Sequence, residues 1–190
     1  MSKVDNRAAS GGKRTKTLPY LIRGTMAIVV AITLVRQFII PGSDVANFPI
    51  YLGVYFLANG ILSFRLARSD PEGGAKDLLA ALTSIIGGLV LIVTFPFSSY
   101  RDSFVATDIG RYTFSAIVIV IGLLQVQKAV YMTPQHIVKH AHLLFGFLEA
   151  LLGVVVIAVP IGWEANAVAL VWLVLVAIFM FLVAYRLRRL

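Results

Sequence analysis

The sequence predicts an all-α, polytopic membrane protein with six transmembrane helices arranged as three tandem helical hairpins. Three observations predict it. Hydrophobic residues fill 59% of the 190 positions and charged residues only 14%, at a mean hydropathy of +0.88, which is more apolar side chain than a soluble domain of this length can bury. The apolar residues gather into six runs whose lengths fall in the range of about 17–25 residues by which a helix spans a bilayer. The charges fall mostly in the short gaps between those runs.

Residues 1–17 are polar, carry Lys3, Arg7, Lys13, Arg14 and Lys16 around a Ser10-Gly11-Gly12 patch, and read as a disordered basic cytoplasmic tail. The first span, 18–40, is too long for a signal-peptide core and has no small-residue cleavage site after it, so it is expected to stay in place. Pro41-Gly42-Ser43-Asp44 breaks it, and the second span covers 48–68. Ser69-Asp70-Pro71-Glu72-Gly73-Gly74 is a turn, after which the third span runs 76–95 and closes at Pro96. A loop with Tyr100, Arg101 and Asp102 leads to the fourth span, 109–131. Residues 133–142, with Pro134 in the first turn, read as a short segment at the interface. The fifth span, 143–159, closes at Pro160, and the sixth, 165–185, precedes Arg186, Arg188 and Arg189.

Orientation follows from lysine and arginine, which are enriched in cytoplasmic flanks. With the amino terminus inside, fourteen of the seventeen basic residues lie on the inner side, and only Arg36, Arg101 and Arg111 fall outside. The expected location is therefore the cytoplasmic (inner) membrane, multi-pass, with both termini cytoplasmic. Tyr20, Tyr51, Tyr131, Trp163 and Tyr185 fall near the predicted interfaces, where amphipathic rings anchor a helix. The net charge of +8 is spread over the gaps rather than along one face, so it predicts attraction to anionic lipids and no nucleic acid. A second copy of the chain or another membrane protein is the remaining partner class.

The even spans carry an internal repeat in their inner halves. Gly60-Ile61-Leu62-Ser63-Phe64-Arg65-Leu66-Ala67, Gly122-Leu123-Leu124-Gln125-Val126-Gln127-Lys128-Ala129 and Ala177-Ile178-Phe179-Met180-Phe181-Leu182-Val183-Ala184 each start on a small residue and end on alanine. The odd spans each end at a proline, which lacks an N–H and fixes φ. The three hairpins are parallel repeats with a period of about sixty residues, unlike the inverted repeats of many secondary transporters. Arg23-Gly24 near the start, the prolines after the odd spans, the small residues along the even ones and the passage Leu143-Leu144-Phe145-Gly146-Phe147-Leu148-Glu149-Ala150-Leu151-Leu152-Gly153 complete the pattern. It resembles the HdeD family of small bacterial membrane proteins, which are built from a short repeat and associated with acid resistance. The resemblance covers about Leu18 to Arg189. It implies a non-enzymatic, stress-associated membrane protein, and it supplies no catalytic or binding residues to carry over.

The residues that could carry chemistry are few. Glu149 lies about six residues into the fifth span, or ~9 Å deep. Arg23 sits at similar depth in the first span, and Asn59, Ser63, Ser84 and Gln125 occupy the inner halves of the second to fourth. Glu149, Arg23, Asn59 and Gln125 form the candidate intramembrane polar site, because such groups are costly in hydrocarbon unless paired or hydrated. It reads either as a structural Arg23–Glu149 ion pair with amide crosslinks, or as a proton-responsive carboxyl or the wall of a small polar cavity serving a transporter or channel. Arg36 reads as snorkelling outward or as lining an anion vestibule with Arg101 and Arg111. His136 and His140 are four apart on one helical face with His142 nearby. Without a third ligand at suitable spacing they read as a solvated interfacial face, or as groups gaining charge on acidification and so strengthening attraction to anionic lipid. There is no cysteine, P-loop, G-x-S-x-G or H-E-x-x-H, so neither an enzyme, a metal nor a cofactor is expected.

Overall fold

A computed structural model of the chain describes residues 3–39, 48–69, 74–94, 108–132, 138–158 and 163–189. Six helices account for nearly all of them: α1 Lys3–Ile39, α2 Phe48–Ser69, α3 Gly74–Thr94, α4 Asp108–Tyr131, α5 Lys139–Ala158 and α6 Trp163–Arg188. All six are long and apolar enough to span a bilayer, and no strand occurs among the described residues. The odd helices stop at Ile39, Thr94 and Ala158, each two residues short of its proline in the sequence. Proline disfavours the α conformation in the residue before it, so the helix ends where the sequence placed a stop. Pro41, Pro96 and Pro160 themselves lie outside the described residues.

Two boundaries differ from the sequence reading. α1 begins at Lys3 rather than near residue 18, so the backbone of the basic segment continues the first span as helix; its lysines, arginines and alanines are good helix formers. α5 begins at Lys139, so His140 and His142 occupy the first turn of the fifth span instead of a separate interfacial segment.

The helices close into a ring: α1 touches α2, α2 touches α3, and so on to α6, which returns to α1. Each sequence hairpin is in contact. The most extensive contacts, however, lie between hairpins, at α2/α3, α4/α5 and α1/α6. Three tight interfaces alternating with three looser ones are what a three-fold repeat gives when its last helix packs on its first. The small residues that open and close the repeat are all buried: Gly60, Gly122 and Ala177, and Ala67, Ala129 and Ala184.

At two of these interfaces the backbones leave no room for a side chain. A Cβ on Gly122 would lie 2.5 Å from the Ala150 amide nitrogen, and one on Gly88 would lie 2.7 Å from the Gly53 carbonyl oxygen. Missing side chains allow such approach in lipid, where dispersion rather than the hydrophobic effect joins helices. The same geometry aligns the odd helices. A Cβ on Gly146 would meet Gln125 and Val126, and one on Gly24 would meet Met180 and Phe181; Gln125 and Met180 are equivalent in the repeat, so Gly24 and Gly146 are too. Gly60 faces Ala81 as Gly122 faces Gly146, which adds Ala81 to the set.

Candidate functional site

Odd helices start and even helices finish at the same end of the ring, termed here the basal end. The repeat alignment places Ala27, Ser84 and Glu149 at equivalent positions, each three residues after Gly24, Ala81 or Gly146. All three are buried, at 0%, 2% and 4% exposure. Two repeats therefore fill this position with a small side chain, and one fills it with a carboxyl.

Glu149 and Arg23 do not form the ion pair that the sequence suggested; each takes an amide. Gln125 Nε2 donates to Glu149 Oε2 at 2.5 Å, joining α4 to α5. Arg23 Nε donates to Asn59 Oδ1, joining α1 to α2. The two charges remain within electrostatic reach of each other. The four residues expected to form a polar layer are thus brought together as two crosslinks rather than one pair. Gln125 Oε1 is buried without a hydrogen-bond partner, a cost that a water or a ligand would relieve. Ser84 is satisfied within its helix by the Ala80 carbonyl at 3.0 Å.

On the side away from the basal end, aromatic rings close the axis. Phe56 stacks on Trp172 at 5.2 Å between centroids, while Tyr55 and Phe114 meet Trp172 edge-on at 5.8 and 5.3 Å. Such arrangements suit the ring quadrupoles. The Trp172 indole N–H is buried without a hydrogen-bond partner among the described residues. Tyr55 feels both Arg23 and Glu149. Neither Tyr55 nor Trp172 stood out in the sequence, where an aromatic in an apolar run reads as packing.

On the basal side lies a cavity of about 80 Å³. Tyr20, Asp77 and His142, which are repeat equivalents, all line it, as do the equivalents Ser63, Gln125 and Met180. A cavity touched by every member of two such sets lies on the pseudo-three-fold axis. Arg23, Lys76 and Lys128 add three cations to its wall. Lys128 pairs with Asp77 at 2.6 and 2.9 Å, bridging α4 and α3. Lys76 lies over the Tyr131 ring, 3.5 Å from its centroid, a cation–π contact that uses the residue read as an interface anchor.

The Asp77–Lys128 pair was missed because Asp77 sits beside Lys76 at the start of a span, where it reads as a solvated flank. Its depth, matching that of Lys128, was the available signal.

The histidines separate. His140 is exposed, while His142 is 8% exposed and packs edge-on against Phe179, 5.1 Å between centroids. Two positions apart on a helix, they point to different sides, so they do not form one solvated face. His136 lies outside the described residues, as does Arg101. Arg36 is exposed, as a snorkelling residue would be, and Arg111 lies against the Tyr112 ring.

Compared with protein-family models, curated proteins and solved structures, the chain gives no match.

Proposed function

We propose that this integral membrane protein is non-enzymatic and of the HdeD type, associated with acid stress, and that its working part is the basal cavity with the carboxyl of Glu149 behind its wall. The observation that carries the reading is the position of Glu149. The two other repeats hold Ala27 and Ser84 at that place, so the fold itself needs nothing larger or charged there. A buried carboxyl where packing requires only a small residue points to chemistry, and the chemistry open to it is proton uptake. The cavity supplies a path from one side, through Gln125, which both lines the cavity and holds the carboxyl.

The excess of lysine and arginine at the basal end supports the cytoplasmic membrane and a basal end facing the cytoplasm. Anionic lipid is the natural partner of that face. His140 is exposed at that face, whereas His142 is buried against Phe179.

A second reading, a small transporter, is favoured by the cavity itself. With the aromatic layer closing the other side, it would work by alternating exposure rather than as an open pore.

The test is proton flux into liposomes across an imposed pH gradient, for the wild type and Glu149→Gln. Flux above empty liposomes that disappears in a folded Glu149→Gln protein is the expected result for the transporter. Flux equal in all samples removes that reading. A change in tryptophan fluorescence on acidification that persists in Glu149→Gln would remove Glu149 as the proton-responsive group.

A further inference from the structure

We infer that the basal cavity binds a short-chain monocarboxylate, its carboxylate on the guanidinium of Arg23 and its alkyl end against the apolar wall. The inference rests on the reading of this cavity as the working site and names the ligand class it takes.

Charge sets the sign of the ligand. Arg23, Lys76 and Lys128 face one acid, Asp77, a formal excess of two positive charges along the wall. Asp77 is already occupied by Lys128. Glu149 does not line the cavity and is held behind Gln125. A cation would therefore meet no available carboxylate, whereas an anion would meet donors on several helices.

Donor geometry selects among anions. Of the five N–H groups of a guanidinium, Arg23 spends the one on Nε, on Asn59. That bond fixes the plane of the group and leaves its terminal nitrogens without a hydrogen-bond partner among the described residues. Two such nitrogens match the two oxygens of a carboxylate as a fork. Chloride cannot use a fork.

The rest of the wall selects within the oxyanions. Leu66, Leu124, Phe179 and Met180 line the same cavity as the cations. Inorganic phosphate and sulfate would set charged oxygens against that apolar surface and lose hydration without compensation. A carboxylate with a short alkyl chain presents one charged and one apolar end to a wall divided in the same way.

Size sets the scale. The cavity of about 80 Å³ corresponds to several waters at roughly 10–15 Å³ each by the same measure, or to a ligand of about four to six heavy atoms. Acetate, propionate and butyrate fall in this range.

The test is equilibrium dialysis of radiolabelled propionate against the purified full chain in detergent, at constant ionic strength in sodium chloride. Saturable binding is expected, displaced by acetate and butyrate but not by phosphate. Arg23→Lys, which keeps the charge and loses the fork, should weaken binding by about tenfold or more. Ala80→Leu, which narrows the cavity without altering charge, should weaken butyrate more than acetate. Absence of saturable binding by the wild type, displacement by phosphate as effective as by acetate, or unchanged affinity in Arg23→Lys would each overturn the assignment. The first two need no variant, so a substitution that fails to fold leaves the test decisive. Glu149-dependent proton flux without propionate binding would sink only the ligand, and propionate binding without such flux would sink only the relay.

Discussion

Gly146→Ala and Gly24→Ala make the same chemical change at equivalent positions of two helix pairs, yet their surroundings predict different outcomes. At Gly146 the added methyl would lie 2.7 Å from the Gly122 carbonyl oxygen and 2.8 Å from the Val126 amide nitrogen, against the 3.4 Å at which ordinary contact begins. Both neighbours are backbone, so α4 and α5 must part by a good fraction of an ångström. Overpacking of this kind costs about 1–3 kcal/mol, against a gain of up to about 1 kcal/mol from replacing a helical glycine by alanine. At Gly24 the nearest atoms are Met180 Cβ, at 3.3 Å and so displaced by only about a tenth of an ångström, and the Phe181 ring, at 3.2 Å. That ring is half-buried and can turn, so the propensity gain is offset by little, and the net change should lie within about 0.5 kcal/mol of zero or be stabilising. The assay is reversible unfolding in mixed micelles with increasing sodium dodecyl sulfate, followed by circular dichroism, with midpoints compared at equal slope. Gly146→Ala should also loosen the Glu149 crosslink, because Gln125 Cβ is among the atoms the methyl would strike, at 2.8 Å. Equal midpoints for the two variants would refute the argument that backbone approach, rather than the presence of glycine, sets the tight interface.

Three further outcomes follow from the same geometry. Gln125→Leu removes the donor at Glu149 Oε2 and should destabilise by about 1.5–3 kcal/mol, with most of the loss recovered in Gln125→Leu/Glu149→Leu; a double-mutant cycle in the same unfolding assay reads this, and no recovery would show that the bond is not what is lost. Asp77→Asn breaks a pair whose side chains are 27% and 22% exposed, so it should cost under about 1 kcal/mol and make proton flux or propionate affinity respond more than stability does. The chain has no cysteine, so single cysteines introduced at Lys13 and Ser43 can be tested in intact cells with a membrane-impermeant maleimide. Labelling at Ser43 but not at Lys13 is the expected pattern, and the reverse would overturn the proposed orientation.

Much of the architecture was legible from residue types alone. The six spans, and helix ends within two residues of Pro41, Pro96 and Pro160, follow from hydropathy and from a ring that bars helix in its neighbour. The repeat was legible too, as the buried Gly60, Gly122 and Ala177 attest. The start of α5 was misplaced because Lys139, His140 and His142 read as an interfacial segment, although a span can begin with polar residues when they cap a cavity or face water. The polar site was half legible. Its members were identified by their cost in hydrocarbon, but Arg23 and Glu149 were matched by charge, and amides lying at the right rotation reached them first.

The sequence by itself determined that this chain crosses a membrane six times and repeats three times, because hydropathy, helix length and proline are properties of the chain that hold whatever its neighbours do. Only the tertiary structure decided that the ring closes through α1 and α6, that the tightest contacts lie between hairpins, that Asp77 meets Lys128, and that Glu149 stands where Ala27 and Ser84 stand in the other repeats. Those outcomes depend on how far each helix turns about its axis and how closely two backbones approach. At Gly122 and Gly146 that approach is set by contacts shorter than a single methyl group would allow.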